Sequence, residues 1–248
     1  MKILLAALAS EPGQGEANLT QLGATMRDHA GLADLVVVAE AFGQGFEALT
    51  DDPTHDLAMA WTIDGPELAQ VRRWAATHHM AVCLGFFERD GSTLHSSAAV
   101  IDAHGELVTV YRRISSGWRF PDADTSTYVD GSDIVTFTLA DKLCTVALCG
   151  DLWVLPERFA AAQADIALWP VFVNYEPGAW ASGEIDEYAH QVADVADHVL
   201  LVNSLSSGSP ASPAWGGATH GGAVWFSGGA VRAELPMGEA GVLLVDVP

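Results

Sequence analysis

Three side chains that could act together chemically stand at or near the ends of apolar, strand-like segments. Glu40 closes "ADLVVVAE", Cys149 closes "LCTVALC", and Arg113 follows closely on the segment "GELVTVYR". A carboxylate can take the proton of a thiol, and the thiolate can then attack an electrophilic carbon. A cation such as Arg113, together with backbone N–H groups near Gly150, can hold the negative charge that develops on oxygen. These residue types indicate a nucleophilic site, provided that the fold brings them together.

Strand-like and helix-like segments alternate along the chain, which indicates an α/β architecture. Continuous apolar runs predict the strands "ILLAAL", "ADLVVVAE", "AVCLGFFER", "DIALWPV" and "VLLVNSL". Apolar residues at helical spacing predict the helices "EANLTQLGATMRDHAGL", "PELAQVRRWAATHHM" and "EIDEYAHQVADVADH". A turn at "DAHG" and the segment "HGGAVWFSGGAVRAEL" predict hairpins, so the sheets should be mixed. Ligands of α/β sheets gather beyond the carboxyl ends of strands, which is where Glu40 and Cys149 lie.

The composition limits the class of protein and of partner. The chain has 248 residues, half of them hydrophobic, and we interpret residues 1–248 as a single domain. A formal net charge of −21 argues against nucleic acid and anionic membranes as partners. Three cysteines do not make a disulfide framework, and no apolar run approaches the ~20 residues of a membrane span. We interpret "MKILLAALAS" as a buried first strand rather than a signal peptide, and we expect a cytoplasmic protein.

Motifs of several other reaction classes do not occur in the sequence. It contains no cysteine pair with zinc spacing, no HExxH, no Walker loop, no GxGxxG and no GxSxG. The chemistry indicated by the thiol and the carboxylate needs no cofactor, and we expect neither a cofactor nor a metal.

The ordered set of motifs resembles the nitrilase superfamily of carbon–nitrogen hydrolases. The segments that carry the resemblance are, in order, "MKILLAALA", "EPGQGEANL", "ADLVVVAEAFGQGF", "GELVTVYRRIS" and "ALCGDLWVLPERF". The resemblance implies a four-layer αββα sandwich with two mixed β-sheets, usually paired into a homodimer. It also implies that Cys149 is the nucleophile and Glu40 the general base.

The sequence departs from the family pattern at two places. The catalytic lysine of the family falls on Arg113, and the chain has only two lysines against nine arginines. The family often carries a second glutamate between its lysine and its cysteine, whereas the matching stretch here offers Asp124, Thr125 and Ser126. Arginine keeps the positive charge and the donors of lysine, but it cannot shuttle a proton.

The resemblance leads us to expect hydrolysis of a small amide or carbamoyl compound through a cysteine thioester. Transfer of the acyl group to another amine, and a catalytically silent binding or scaffolding protein, stay open as alternatives. We expect Gly150, Trp118, Phe172 and Tyr175 to contact the substrate. Cys83 and Cys144 lie within strand-like runs and are predicted to belong to the core.

Overall fold

A computed structural model describes residues 1–207 and 217–248. The strands are β1 (Lys2–Ala7), β2 (Leu35–Val37), β3 (Ala81–Asp90), β4 (Thr93–Ile101), β5 (Leu107–Arg112), β6 (Thr136–Leu139), β7 (Lys142–Val146), β8 (Ile166–Val171), β9 (His198–Asn203), β10 (Leu205–Ser206), β11 (Thr219–His220), β12 (Ala223–Ser227), β13 (Ala230–Leu235) and β14 (Gly241–Asp246). The helices are α1 (Gly15–Asp28), α2 (Pro53–Met59), α3 (Pro66–His78), α4 (Asp151–Val154), α5 (Pro156–Ala160), α6 (Pro177–Ala179) and α7 (Ile185–Gln191).

Within these residues the chain forms two six-stranded mixed sheets with the same plan. The first has the order β14-β1-β2-β3-β4-β5, and the second has the order β13-β12-β9-β8-β7-β6. In each sheet three central strands are parallel, namely β1, β2 and β3 in the first and β7, β8 and β9 in the second. The strands that flank them, β14 and β4 in the first sheet and β12 and β6 in the second, run antiparallel to them. The edge strands β5 and β13 pair antiparallel with β4 and β12. The predicted mixed α/β architecture is confirmed.

The alternation of side chains along β1 shows how the layers are built. Ile3 and Leu5 face a core shared with the second sheet, where they join Val146 and Leu168. Leu4 points the other way, into a core formed with helices α1 and α3. Successive residues of a strand point to opposite faces, so a strand buried on both faces reads as a continuous apolar run.

Helices also cover the outer face of the second sheet. Trp169 of β8 stacks on Tyr188 of α7 with ring centroids 5.3 Å apart, and both side chains are buried. The order of layers is therefore α1 and α3, the first sheet, the second sheet, and α5 with α7. This is the αββα sandwich that the family resemblance implies.

Several elements differ from the sequence-based expectations. The helix predicted over residues 184–198 is shorter, because α7 ends at Gln191 and His198 already begins β9. Helix α2 was not predicted, although Asp52 caps its N-terminus by accepting from the Thr54 N–H at 2.9 Å. Strand β14 was also missed, and it pairs with β1 along its whole length. No helix among residues 1–207 and 217–248 is long and apolar enough to cross a membrane.

The parallel strands place their carboxyl ends together at one edge of the sandwich. Glu40 follows β2, and Cys149 follows β7. Gly85 of β3 lets the Glu40 loop come close, because a Cβ at Gly85 would overlap the Ala39 carbonyl and lie 2.9 Å from the Glu40 Cα. The absence of a side chain at Gly85 therefore helps to set the position of Glu40.

We predict that Gly85→Ala lowers the free energy of unfolding by roughly 1–3 kcal/mol, because the added methyl group meets backbone that cannot move aside. The measurement is urea denaturation followed by circular dichroism. Gly178→Ala is the matched control, since a Cβ there meets nothing within 4 Å, and its effect should stay within about 0.5 kcal/mol. Equal stability of the two variants would contradict the close approach at Gly85.

Candidate active site

Glu40 is a fully buried carboxylate with two side-chain partners. Its Oε1 accepts from Ser96 Oγ at 2.7 Å and from Arg113 Nη1 at 2.9 Å, while its Oε2 lies 3.1 Å from the same Nη1. Burial raises the pKa of Glu40, and the Arg113 charge and the Ser96 hydroxyl oppose that rise. A buried acid held in this way is suited to exchange a proton.

Arg113 lies just beyond β5 and is 4% exposed. Its Nη1 binds Glu40, and its Nε donates to Ser115 Oγ at 2.9 Å. Its Nη2 points toward Gly150, where a Cβ would lie 2.6 Å from it. Burial lowers the pKa of Arg113, but the charges of Glu40, Cys149 and Asp151 raise it above its ordinary value. The guanidinium is therefore a permanent cation that bridges the carboxylate and the loop after the cysteine.

Cys149 stands in a sharp turn that follows β7. Its φ is +39°, a left-handed conformation that a residue with a side chain rarely adopts. Its N–H donates to the Pro170 carbonyl at 3.0 Å, and its carbonyl accepts from Trp169 Nε1 at 2.8 Å. The thiol lies 3.4 Å from the Phe172 carbonyl oxygen. Backbone bonds on both sides of Cys149 thus fix the direction of the sulfur.

Asp151 ties this turn to the loop that carries Arg113. Its Oδ1 accepts from the Ser115 N–H at 2.8 Å, and its Oδ2 accepts from the Leu148 N–H at 2.9 Å and from the Tyr111 hydroxyl at 2.5 Å. The carboxylate is fully buried. These bonds indicate that Asp151 holds the turn in place.

Burial and two neighbouring charges act on the pKa of the Cys149 thiol. Burial raises the pKa of Cys149 to about 11, with the Arg113 charge lowering it and the Glu40 charge raising it. The same groups that could drive catalysis therefore act on the sulfur directly. Since both the thiol and the carboxyl have raised pKa values, the sulfur needs a base at the moment of attack.

Of the four predicted substrate contacts, Gly150 and Phe172 adjoin Cys149, and Trp118 and Tyr175 belong to aromatic clusters. Gly150 directly follows Cys149, and the Phe172 carbonyl contacts the thiol. Trp118 is fully buried in the same apolar cluster as Phe172, with its Nε1 donating to Asp130 at 2.8 Å. Tyr175 lies farther along the chain, in a cluster with Trp180 and Tyr188.

Two residues that the sequence did not single out for the site belong to it. Ser96 and Ser115 hold Glu40 and Arg113, and a serine in or after a strand carries no distinguishing signal in one sequence. The ring of Tyr188 packs on those of Trp180 and Tyr175, with centroids 4.9 and 6.0 Å away. Burial raises the pKa of Tyr188, and the charge of Cys149 contributes to the rise.

Other residues considered from the sequence lie outside the site. Asp124 is exposed and accepts from Ser126 and Thr127 in its own turn. Arg112, the neighbour of Arg113 in the chain, pairs with Glu88 and Asp90 instead. Among residues 1–207 and 217–248, no group of three or more His, Cys, Asp or Glu side chains could hold a metal ion.

Comparison with known proteins shows the family. Residues 8–195 match the model of the carbon-nitrogen hydrolase family. An aliphatic nitrilase from Rhodococcus rhodochrous is 27% identical over 166 residues, which are 60% of this chain and 44% of that enzyme. A citrullinase from Francisella tularensis is 30% identical over 128 residues, 48% of this chain and 43% of that protein. The matched part of the chain thus spans less than half the length of these curated relatives.

A solved structure shares the fold. It is an amidase from Nesterenkonia sp. AN1, in which acrylamide has added to the active-site cysteine. Its sequence is 19% identical to this chain, and the TM-score is 0.80. The superposition includes the whole of this chain and 93% of the amidase. The fold, the ordered motifs and the family match agree, and the chain belongs to the carbon-nitrogen hydrolase family within the nitrilase superfamily.

Proposed function

We propose that this protein hydrolyses a small amide or carbamoyl compound through a thioester on Cys149. The observation that carries the proposal is the buried Glu40–Arg113 pair, whose guanidinium also reaches toward Gly150, the residue after Cys149. The pair supplies a base and a cation at one sulfur, and general-base activation of a nucleophile needs no more than this.

The first half of the reaction forms the acyl-enzyme. Glu40 takes the thiol proton as the Cys149 sulfur attacks the carbonyl carbon, and the negative charge moves to the carbonyl oxygen. Arg113 Nη2 and the Gly150 N–H stabilise that oxygen. The carbon–nitrogen bond then breaks, and Glu40 gives its proton to the departing amine. A thioester and a free amine result.

The second half releases the acid. Glu40 takes a proton from water as the water oxygen attacks the thioester carbon. The carbon–sulfur bond breaks, and the proton returns to the sulfur. Arg113 cannot carry protons because its guanidinium stays charged, so Glu40 handles every proton transfer in this scheme.

Mass spectrometry of the intact protein tests the nucleophile. Incubation with a panel of small amides should add the acyl group to the protein, and Cys149→Ala should abolish the adduct. Cys83→Ala is the matched control, because Cys83 is a fully buried core thiol, and it should keep the adduct. Absence of both adduct and turnover across amides and nitriles would contradict hydrolysis and favour the silent protein.

Arg113→Lys tests whether the site is built for arginine. A lysine at position 113 would lose the hydrogen bond that Arg113 Nε donates to Ser115. Its single ammonium group could not bind Glu40 and reach toward Gly150 at the same time. We expect kcat/KM to fall roughly tenfold or more. Arg119→Lys, which alters an arginine paired with Asp130, should change kcat/KM much less. A gain of activity in Arg113→Lys would show instead that arginine weakens a site designed for lysine.

The pH dependence of alkylation tests the resting state of the thiol. Because the pKa of Cys149 is raised to about 11, its thiolate fraction increases about tenfold per pH unit up to that value. Iodoacetamide labelling of Cys149 should therefore rise from pH 7 to pH 10 without a plateau. Cys83 and Cys144, whose pKa values burial raises to about 12, should label more slowly. A plateau near pH 7 would indicate a preformed thiolate.

A further inference from the structure

A second buried carboxylate lies at the same edge of the sandwich and takes no part in the proposed reaction. Glu47 belongs to a turn of 3-10 helix, Phe46–Ala48, and is 2% exposed. Its Oε2 accepts from Ser206 Oγ at 2.7 Å. Its Oε1 is buried without a hydrogen-bond partner.

The hydroxyl of Thr219 is buried without a partner as well. Among residues 1–207 and 217–248, Glu47 Oε1 and Thr219 Oγ1 are the two buried side-chain polar atoms in this condition. Thr219 pairs directly with Ser206 across β10 and β11. Residues directly opposite in an antiparallel pair have their side chains on one face, so the Thr219 hydroxyl lies on the side of the Glu47 carboxylate. Each unsatisfied buried polar group destabilises the folded protein, and a charged one does so more strongly.

Contacts connect Glu47 to the nucleophile. The ring of Phe46, its neighbour in the chain, stacks on Phe172 with centroids 4.2 Å apart, and the Phe172 carbonyl contacts the Cys149 thiol at 3.4 Å. The Asn203 side chain, just before β10, bonds to Val173, the residue after Phe172. The segments that carry Glu47 and Ser206 therefore both contact the stretch 172–173, whose Phe172 carbonyl contacts the thiol.

The charge around these oxygens favours a cationic ligand. Burial raises the pKa of Glu47, the Ser206 hydroxyl and the backbone N–H of Glu47 oppose that rise, and the nearby Glu11 carboxylate adds to it. A protonated amine would compensate this negative charge and offers three donors. Two of its donors would satisfy Glu47 Oε1 and Thr219 Oγ1, whereas a neutral N–H group would leave the charge uncompensated.

We propose that Glu47 and Thr219 bind a protonated amino group of the substrate, and that the protein prefers amides whose acyl part carries such a group. This inference deepens the proposed function and rests on Cys149 being the reacting centre. Glu47 is a specificity-determining residue in this assignment, and it does not touch the carbonyl that Cys149 attacks.

The experiment uses pairs of amides that match in size and differ in charge. Glycinamide is compared with propionamide, 3-aminopropanamide with butyramide, and 4-aminobutanamide with pentanamide. Two quantities are measured for each compound, namely kcat/KM and protection of Cys149 against iodoacetamide labelling. In the unmodified protein at least one amino compound should exceed its neutral partner roughly tenfold or more in both quantities.

Three variants identify the source of that preference. Glu47→Gln should remove the preference while kcat/KM for the neutral amides changes less than about threefold, as expected of a site used only by the amino group. Thr219→Val removes the second orphan oxygen and should reduce the preference in part. Glu106→Gln, which removes one charge at an exposed turn, is the control and should keep the preference. Unchanged labelling by iodoacetamide alone reports that each variant is folded.

The outcomes separate this inference from the proposed function. If no amide is hydrolysed but amino compounds protect Cys149 in a Glu47-dependent way, hydrolysis fails and the amine site stands. If amides are hydrolysed with no preference for any amino compound, or if Glu47→Gln keeps the preference, the amine site is overturned. In that case buried water fills the space beside Glu47 and Thr219.

Discussion

The candidate site depends on one buried ion pair, between Glu40 and Arg113. Neither charge could be buried alone, because removing an ion from water costs several kcal/mol unless a partner and further hydrogen bonds compensate it. Ser96 donates a further hydrogen bond to the Glu40 carboxylate, and Ser115 accepts one from Arg113 Nε. The pair joins the loop after β2 to the end of β5, and both loops then lie against the turn that carries Cys149. The position of the sulfur and its electrostatic surroundings are thus determined by the same interaction.

A network of hydrogen bonds around Asp151 holds the turn at Cys149 in place. The role of this network is structural and is separate from the proposed chemistry. The Asp151 carboxylate accepts three hydrogen bonds, two from backbone N–H groups on different loops and one from Tyr111. One of these bonds fixes Leu148, the residue before Cys149. Another fixes Ser115, two residues after Arg113. Asp151, which directly follows Gly150, therefore supports the left-handed turn at Cys149. Such a strained turn needs support from its surroundings.

The sequence predicted the part of this structure that follows from local pattern. Continuous apolar runs identified the central strands, and the polar residues at or near their ends identified Glu40, Arg113 and Cys149. The partners of those residues could not be predicted, because a serine such as Ser96 acquires its role only from the strand register. Glu47 was missed for a related reason, since an acid in "GQGFEAL" is expected to be exposed and only the tertiary fold buries it. The sequence of β14 does not clearly predict a strand. Its apolar run is short, and its residue Leu244 is half-exposed rather than part of the core.

The position of the Arg113 guanidinium depends on its neighbours as well as on arginine itself. The guanidinium needs room that a lysine does not, and two glycines provide it. A Cβ at Gly150 would lie 2.6 Å from Arg113 Nη2, and one at Gly117 would lie 3.1 Å from it. A larger side chain at position 150 would displace the cation from the oxygen it is proposed to stabilise. Arg113, Gly117 and Gly150 therefore form one unit, in which arginine brings its charge to the carbonyl only because its neighbours have no side chains. Because arginine cannot release a proton, Glu40 is the proton carrier in the proposed reaction, and its bonds to Ser96 and Arg113 limit the rise in its pKa.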